Sequence, residues 1–212
     1  MACAICQTRR PRRYCPGVTG DICSFCCGTE REVTVSCPLD CEYLQEARKH
    51  DKLPSLEGVE VPNKDIRITE SELREREALV MFVAGSVLGA AFEVPGVVDF
   101  DVREALDALA RTYRTLQSGV YYETRPQNPL AGEVYALVQG AIAAFRKDEK
   151  ERFGISKTRD ADVLRVLVFL QHFELDRNNG RRKGRAFLDA LRGFYPGAVN
   201  PAPAPSSSLI LP

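Results

Sequence analysis

Eight cysteines, all within the first 41 residues, are the side chains of this sequence best suited to chemistry. They are Cys3, Cys6, Cys15, Cys23, Cys26, Cys27, Cys37 and Cys41. Zn²⁺ favours thiolate ligands, and a structural zinc site holds four ligands in a tetrahedron. Eight thiols therefore indicate two zinc ions, and because no ligand position is left open, both ions are expected to be structural.

The spacing of the cysteines indicates which of them share an ion. Two pairs have the Cys-x2-Cys spacing, in which the intervening backbone folds back and both sulfurs reach one metal: Cys3/Cys6 and Cys23/Cys26. Cys37 and Cys41 are four residues apart, which predicts that they lie on one face of a helix. The N-terminus of such a helix also favours negatively charged thiolates.

We favour an interleaved assignment of the eight ligands. One ion is expected to bind Cys3, Cys6, Cys23 and Cys26, and the other Cys15, Cys27, Cys37 and Cys41. Neighbouring residues tend to point in different directions, so Cys26 and Cys27 are expected to serve separate ions. The alternative exchanges Cys26 and Cys27 between the ions. His50 offers a substitute ligand, although its position near a helix end predicts an exposed side chain.

Composition and charge narrow the class of protein. Hydrophobic residues make up 44% of the chain, and 29 Lys and Arg balance 29 Asp and Glu, which argues against a protein built wholly for nucleic acid or an anionic membrane. Residues 1–10 lack the apolar stretch of a secretory signal, and the longest apolar run, 78–92, is shorter than the roughly 20 residues that cross a bilayer. We therefore expect a cytoplasmic protein without a membrane segment, whose reduced cysteines bind metal rather than form disulfides.

The sequence divides into four segments. Residues 1–50 form the cysteine module, which has too few large apolar residues to fold without metal. Residues 51–68 are rich in turn formers and predict a linker. Residues 69–195 predict an all-α domain, and the Pro- and Ser-rich residues 196–212 predict a disordered tail.

Local patterns give a coarse secondary structure. Residues 31–36 alternate as a short strand does, and Pro38 predicts a helix that begins near Ser36 and runs towards His50. Beyond the linker, the 3.6-residue apolar period predicts a bundle of about five helices joined by short loops. Their predicted starts are Thr69, Asp101, Pro129, Thr158 and Gly184. The predicted class is mostly α, with a small zinc module of short strands and one helix before the bundle.

The order of elements in the cysteine module resembles small cross-brace zinc fingers of the HIT and MYND kind. The resemblance rests on Cys3-x2-Cys6, Arg13-Tyr14-Cys15-Pro16, Ile22-Cys23-Ser24-x-Cys26, Cys37 and Cys41. The module departs from those fingers because it lacks a Cys-x2-Cys pair around Cys15 and a terminal His. The resemblance implies a protein-interaction module rather than an enzyme.

Two basic clusters have alternative explanations. Residues 1–50 contain seven cationic and six anionic side chains, and eight thiolates with two Zn²⁺ would make the module net negative. Arg9–Arg13 therefore either offsets thiolate charge, which we favour, or binds phosphate or acidic groups. Arg181–Arg185 either complements the end of the preceding helix, which we also favour, or binds phosphate.

The sequence contains no catalytic motif that we can identify, and we expect a protein that is not an enzyme. Our first hypothesis is a zinc-binding interaction or adaptor protein whose partner is another protein. A second is a nucleic-acid-binding protein that uses Arg9–Arg13 and Arg181–Arg185, which requires both clusters on one face. A third is a thiol redox or metal-sensing switch, which requires an exposed and labile cysteine.

Overall fold

The computed structural model of the chain describes residues 2–51 and 58–197. Within them, the elements in chain order are β1 (Arg13–Cys15), β2 (Gly20–Ile22), α1 (Ser24–Thr29), α2 (Glu42–Arg48), α3 (Glu70–Glu75), α4 (Glu77–Glu93), α5 (Asp99–Gln117), α6 (Pro129–Phe153), α7 (Asp160–Arg177) and α8 (Ala186–Arg192). The prediction of a mostly helical protein with a small strand-containing cysteine module is confirmed. Most of the predicted tail, residues 198–212, lies outside the described part of the chain.

A short hairpin organises the cysteine module. Strands β1 and β2 pair antiparallel, with Tyr14 opposite Asp21. The backbone N–H of Ala4 donates to the Asp21 carbonyl at 2.9 Å, so the N-terminal residues pack along β2. Ile22, at the end of β2, is buried among the cysteines and begins the turn into α1.

The predicted strand at residues 31–36 is wrong. The backbone turns back there, with the N–H groups of Val33, Thr34 and Val35 each 3.1–3.2 Å from the Glu30 carbonyl. Glu32 has a φ of 55°, and a single bridge joins Arg31 to Val35. The alternation of apolar and polar residues does not reflect the two faces of a strand here. Val35 packs among the cysteines, whereas Glu32 is buried against the charged side chain of Arg48.

The predicted start of the second helix is also wrong. Pro38 lies in a turn closed by the Cys41 N–H, which donates to the Pro38 carbonyl at 3.1 Å. Helix α2 begins only at Glu42, with Cys41 as its N-cap. Cys37 therefore precedes the helix, and Cys37 and Cys41 do not share a helix face. Helix α1, between β2 and this turn, has no counterpart in the sequence prediction.

The first predicted helix of the bundle is divided in two. Arg76 adopts φ −115° and ψ 23°, which ends α3 and begins α4. Its guanidinium Nε donates to Asp162 of α7 at 2.8 Å. The described part of the bundle therefore has six helical segments where the sequence predicts about five.

Helix α4 packs against α6, α7 and α8. Its buried residues, which include Val83 and Val87, cover about half of the helix circumference, and Met81 and Gly89 lie on its exposed side. None of the helices in residues 2–51 and 58–197 combines the length and apolar character needed to cross a membrane.

Helices α5 and α6 run in the same direction. Residues 118–128 return along α5, where the N–H of Thr124 donates to the Thr112 hydroxyl at 2.9 Å. Asn128, the N-cap of α6, donates to Asp101 in the first turn of α5 at 2.6 Å. The expectation of short loops throughout is wrong here, since two parallel neighbours need a connection about as long as a helix.

Candidate metal centre

Four cysteine sulfurs form one compact group. The Sγ atoms of Cys3, Cys6, Cys23 and Cys26 all lie within 4.8 Å of one another. A tetrahedral zinc ion with Zn–S distances of about 2.3 Å requires sulfurs roughly 3.8 Å apart, so the group fits one ion with little movement. The structure thus brings together the four cysteines that the Cys-x2-Cys spacing assigns to one metal.

Backbone N–H groups direct this arrangement. The N–H of Cys23 donates to the sulfur of Cys3 at 3.2 Å, and the N–H of Cys26 donates to the sulfur of Cys23 at 3.4 Å. Cys23 is the N-cap of α1, so the first turn of that helix presents its donors to the sulfurs. Cys3, Cys23 and Cys26 are buried and Cys6 is half-buried, which is the environment of a structural site.

The pKa values of these thiols diverge when no cation is present. A hydrogen bond with the Thr8 side chain, assisted by the backbone N–H groups of Arg9 and Thr8, lowers the pKa of Cys6 to about 5. Burial, together with the neighbouring thiols, raises the pKa of Cys26 to about 12. Four thiolates cannot share this space without a counter-charge, and a bound divalent cation would release the remaining protons.

The other four cysteines are less closely grouped. Within residues 2–51 and 58–197, the first group is the single set of three or more His, Cys, Asp or Glu ligand atoms that lie within 4.8 Å of one another. Cys15 and Cys41 are nevertheless close enough to Cys37 to influence its titration, and burial is the main reason that its pKa rises to about 11. The sulfur of Cys27 accepts a hydrogen bond from Arg31 at 3.7 Å.

The predicted substitute ligand lies elsewhere. His50 is exposed beyond the end of α2, and its Nε2 is 3.7 Å from the Glu46 carboxylate. It joins no metal-binding group among the described residues.

A buried carboxylate joins the cysteine module to the helical bundle. Glu32 is fully buried, and its carboxylate accepts hydrogen bonds from Arg48 at 2.7 Å, from the Asn179 side chain at 2.8 Å and from the Arg185 backbone at 3.0 Å. Its carbonyl accepts from the Lys183 N–H at 2.8 Å. We call this set of contacts the Glu32 junction. It ties the loop between Cys27 and Cys37 to the α7–α8 connection.

Helix α2 reinforces the Glu32 junction from the side of α8. Arg48 forms an ion pair with Asp189, and the Gln45 side chain donates to the same carboxylate at 3.1 Å. Arg192 of α8 pairs with Asp40, just before α2. Sequence patterns gave no sign of these contacts, because each joins residues more than a hundred positions apart.

Two arginines of the second basic cluster, Arg181 and Arg185, make contacts within the fold. The Arg181 guanidinium lies 3.9 Å from the Glu32 carboxylate and 3.7 Å from that of Asp51. The Arg185 guanidinium lies over the Phe92 ring, and its Nε is buried inside the protein. These two side chains therefore do not supply the free cations that the nucleic-acid hypothesis needs from this cluster.

Comparison with known proteins gives no relative from which function can be carried over. No protein-family model, curated protein or solved structure matches this chain. We therefore infer its function from the chemistry of its own residues.

Proposed function

We propose that this chain is a non-catalytic protein-interaction or adaptor protein whose cysteine module is folded by structural zinc. The observation that carries the proposal is the buried group of four sulfurs within 4.8 Å of one another. A catalytic zinc keeps a position open for water or substrate, and four thiolates leave none. The metal then supplies folding free energy to a module whose own aliphatic core is small.

We assign a second zinc ion to Cys15, Cys27, Cys37 and Cys41. Cys15 belongs to the buried cluster of side chains against which Cys27 and Cys37 pack, which supports this assignment. The turn between Cys37 and Cys41 lies outside any helix, so it is free to adjust as an ion draws the four sulfurs together.

Exposed apolar side chains on the bundle support a protein partner. In the connection between α5 and α6, Val120, Tyr121 and Tyr122 are exposed by 57%, 83% and 64%. Three consecutive apolar residues at the surface are costly in water, and tyrosine is enriched at protein interfaces. Photo-crosslinking from position 121 should capture a partner that a probe at the exposed control position Arg152 does not.

Native mass spectrometry of protein purified without added metal tests the zinc proposal directly. We expect two zinc ions per chain, lost on chelation together with the ordered structure of residues 2–50. One ion would contradict the second site. A metal-free chain with its mass lowered by paired oxidation would replace the zinc proposal with a disulfide scaffold. Rapid alkylation of zinc-loaded protein would instead favour the thiol-switch hypothesis.

A further inference from the structure

Arginines and aromatic rings form a joint surface on the cysteine module. The guanidinium carbon of Arg9 lies 4.1 Å from the Phe25 ring centroid, and that of Arg13 lies 3.9 Å from the Tyr43 ring centroid. Phe25 is 56% exposed and Tyr43 38% exposed. These four residues, together with the exposed Arg10 and Arg12, form a surface of six residues that we call the arginine–aromatic surface.

The arginines of this surface lack anionic partners inside the described protein. Within residues 2–51 and 58–197, no carboxylate oxygen lies within 4.0 Å of the side-chain nitrogens of Arg9, Arg10, Arg12 or Arg13. This contrasts with Arg181 in the second cluster, which faces two carboxylates.

Direct contact with thiolates does not account for these arginines either. Within residues 2–51 and 58–197, the arginine that donates to a cysteine sulfur is Arg31, at 3.7 Å from Cys27. The direct contact between an arginine and a thiolate is therefore made by Arg31 rather than by Arg9–Arg13. Because no carboxylate or thiolate among the described residues contacts these four guanidinium groups, their N–H donors are available to an anionic ligand from outside the chain.

The metal module holds this surface in place. Phe25 lies in α1, between the ligands Cys23 and Cys26. Tyr43 follows Cys41 in the first turn of α2, and Arg13 begins β1 of the hairpin. The rings and the cations are thus fixed relative to one another by the cysteine ligands rather than carried on a free tail.

We infer that the arginine–aromatic surface binds single-stranded nucleic acid. A guanidinium stacked flat on a ring keeps its in-plane N–H donors available for phosphate oxygens. Unpaired bases stack on exposed aromatic rings and on arginine planes, and such stacking tolerates any sequence. An acidic polypeptide satisfies the charges but lacks the aromatic bases that stack on Phe25 and Tyr43, so the rings favour nucleic acid.

This inference rests on the proposed metal-dependent fold of the cysteine module and is independent of the bundle's protein partner. The nucleic-acid hypothesis from the sequence required both basic clusters on one face. The present inference uses Arg9–Arg13 alone, because Arg181 faces carboxylates and the Nε of Arg185 is buried.

Fluorescence anisotropy with the full-length, zinc-loaded protein tests the inference. The probes are a 12-nucleotide single-stranded RNA, the matching DNA, their duplexes and polyglutamate. We expect both single strands to bind at least fivefold more tightly than the duplexes and polyglutamate, because only unpaired bases can stack. Four phosphate contacts predict a slope of about −2.8 in a plot of log affinity against log salt concentration.

Two double variants separate stacking from charge. Phe25→Leu with Tyr43→Leu should weaken single-strand binding by at least about fivefold and leave the salt slope unchanged. Arg10→Ala with Arg12→Ala should reduce the slope by about 1.4. The matched control is Phe100→Leu with Phe153→Leu, which removes two rings of the bundle that are 39% and 58% exposed and should bind as the unmodified protein does. Each variant is compared at equal zinc content.

Several results would overturn the inference. One is a zinc-loaded protein that binds neither single strand, and another is a pair of ring substitutions that leaves the affinity unchanged. A third is polyglutamate that binds as tightly as RNA, which would identify an acidic polypeptide as the ligand. If the ring variants fail to keep their zinc, Arg9→Lys with Arg13→Lys replaces them, since it keeps the charge and removes the planar stack. Removal of zinc should abolish single-strand binding, and a metal-free chain that binds RNA as tightly would contradict the dependence of this surface on the metal module.

Discussion

The Glu32 junction makes the stability of the whole chain depend on one buried carboxylate. Glu32→Gln keeps the size of the side chain but removes the charge that faces Arg48 at 2.7 Å. It also sets an amide N–H₂ against either the Asn179 side chain or the Arg185 backbone, both of which are donors. Removal of one partner from a buried ion pair costs about 3–5 kcal/mol.

We expect the lower end of that range, about 3 kcal/mol, because Arg48 keeps its second ion pair with Asp189. Typical domains have about 5–15 kcal/mol of stability in total, so the loss should be plain in urea unfolding followed by circular dichroism. Hydrogen exchange should accelerate at residues 183–192, which the junction holds, while zinc content stays unchanged.

The control for this experiment is Glu46→Gln, which removes a carboxylate that is 63% exposed and pairs with Lys49 at the surface. Such pairs contribute about 0–1 kcal/mol, so this variant should unfold almost as the unmodified protein does. A Glu32→Gln variant that loses under 1 kcal/mol and leaves exchange at 183–192 unchanged would refute the role of the junction. Loss of zinc from that variant would show that Glu32 supports the metal module rather than the contact with the bundle.

Three further predictions concern the metal, pH and packing. Cys23→Ser should lower the zinc count in native mass spectra by one ion and expose the amides of α1 to exchange, because Cys23 belongs to the sulfur group and caps that helix. Burial raises the pKa of Asp99 to about 7 in the folded protein. The unfolded chain loses this proton near pH 4, whereas the folded protein keeps it up to about neutral pH. Stability should therefore fall as pH rises, by about 1.4 kcal/mol between pH 6 and 8 in urea titrations, and Asp99→Asn should lack this component. A Cβ at Gly89 meets no atom within 4 Å, whereas one at Gly85 lies 3.1 Å from the Tyr195 ring. Gly89→Ala should therefore raise the thermal unfolding midpoint, because alanine has a helix propensity about 1 kcal/mol more favourable than glycine. Gly85→Ala should not raise it, because the added methyl group would crowd the Tyr195 ring.

Sequence patterns were informative where the relevant interactions are local. The Cys-x2-Cys spacing predicted the group of four sulfurs, because each pair is positioned by one short turn. The apolar period likewise predicted the long helices of the bundle, which bury one or more faces over many residues. Patterns of five or six residues were less reliable, and the strand predicted at 31–36 is a turn whose shape is set by the burial of Glu32.

The two basic clusters show why the remaining features could not be predicted. Arg9–Arg13 and Arg181–Arg185 look alike in the sequence, and a charge run is equally compatible with a free surface and with an internal contact. They differ in their surroundings. Arg181 faces the carboxylate of Glu32, 149 positions earlier in the chain, and that of Asp51, while Arg9 and Arg13 lie over exposed aromatic rings. A run of arginines indicates a binding surface only when its partners in space are known, and these partners are fixed by the docking of the cysteine module rather than by any local pattern.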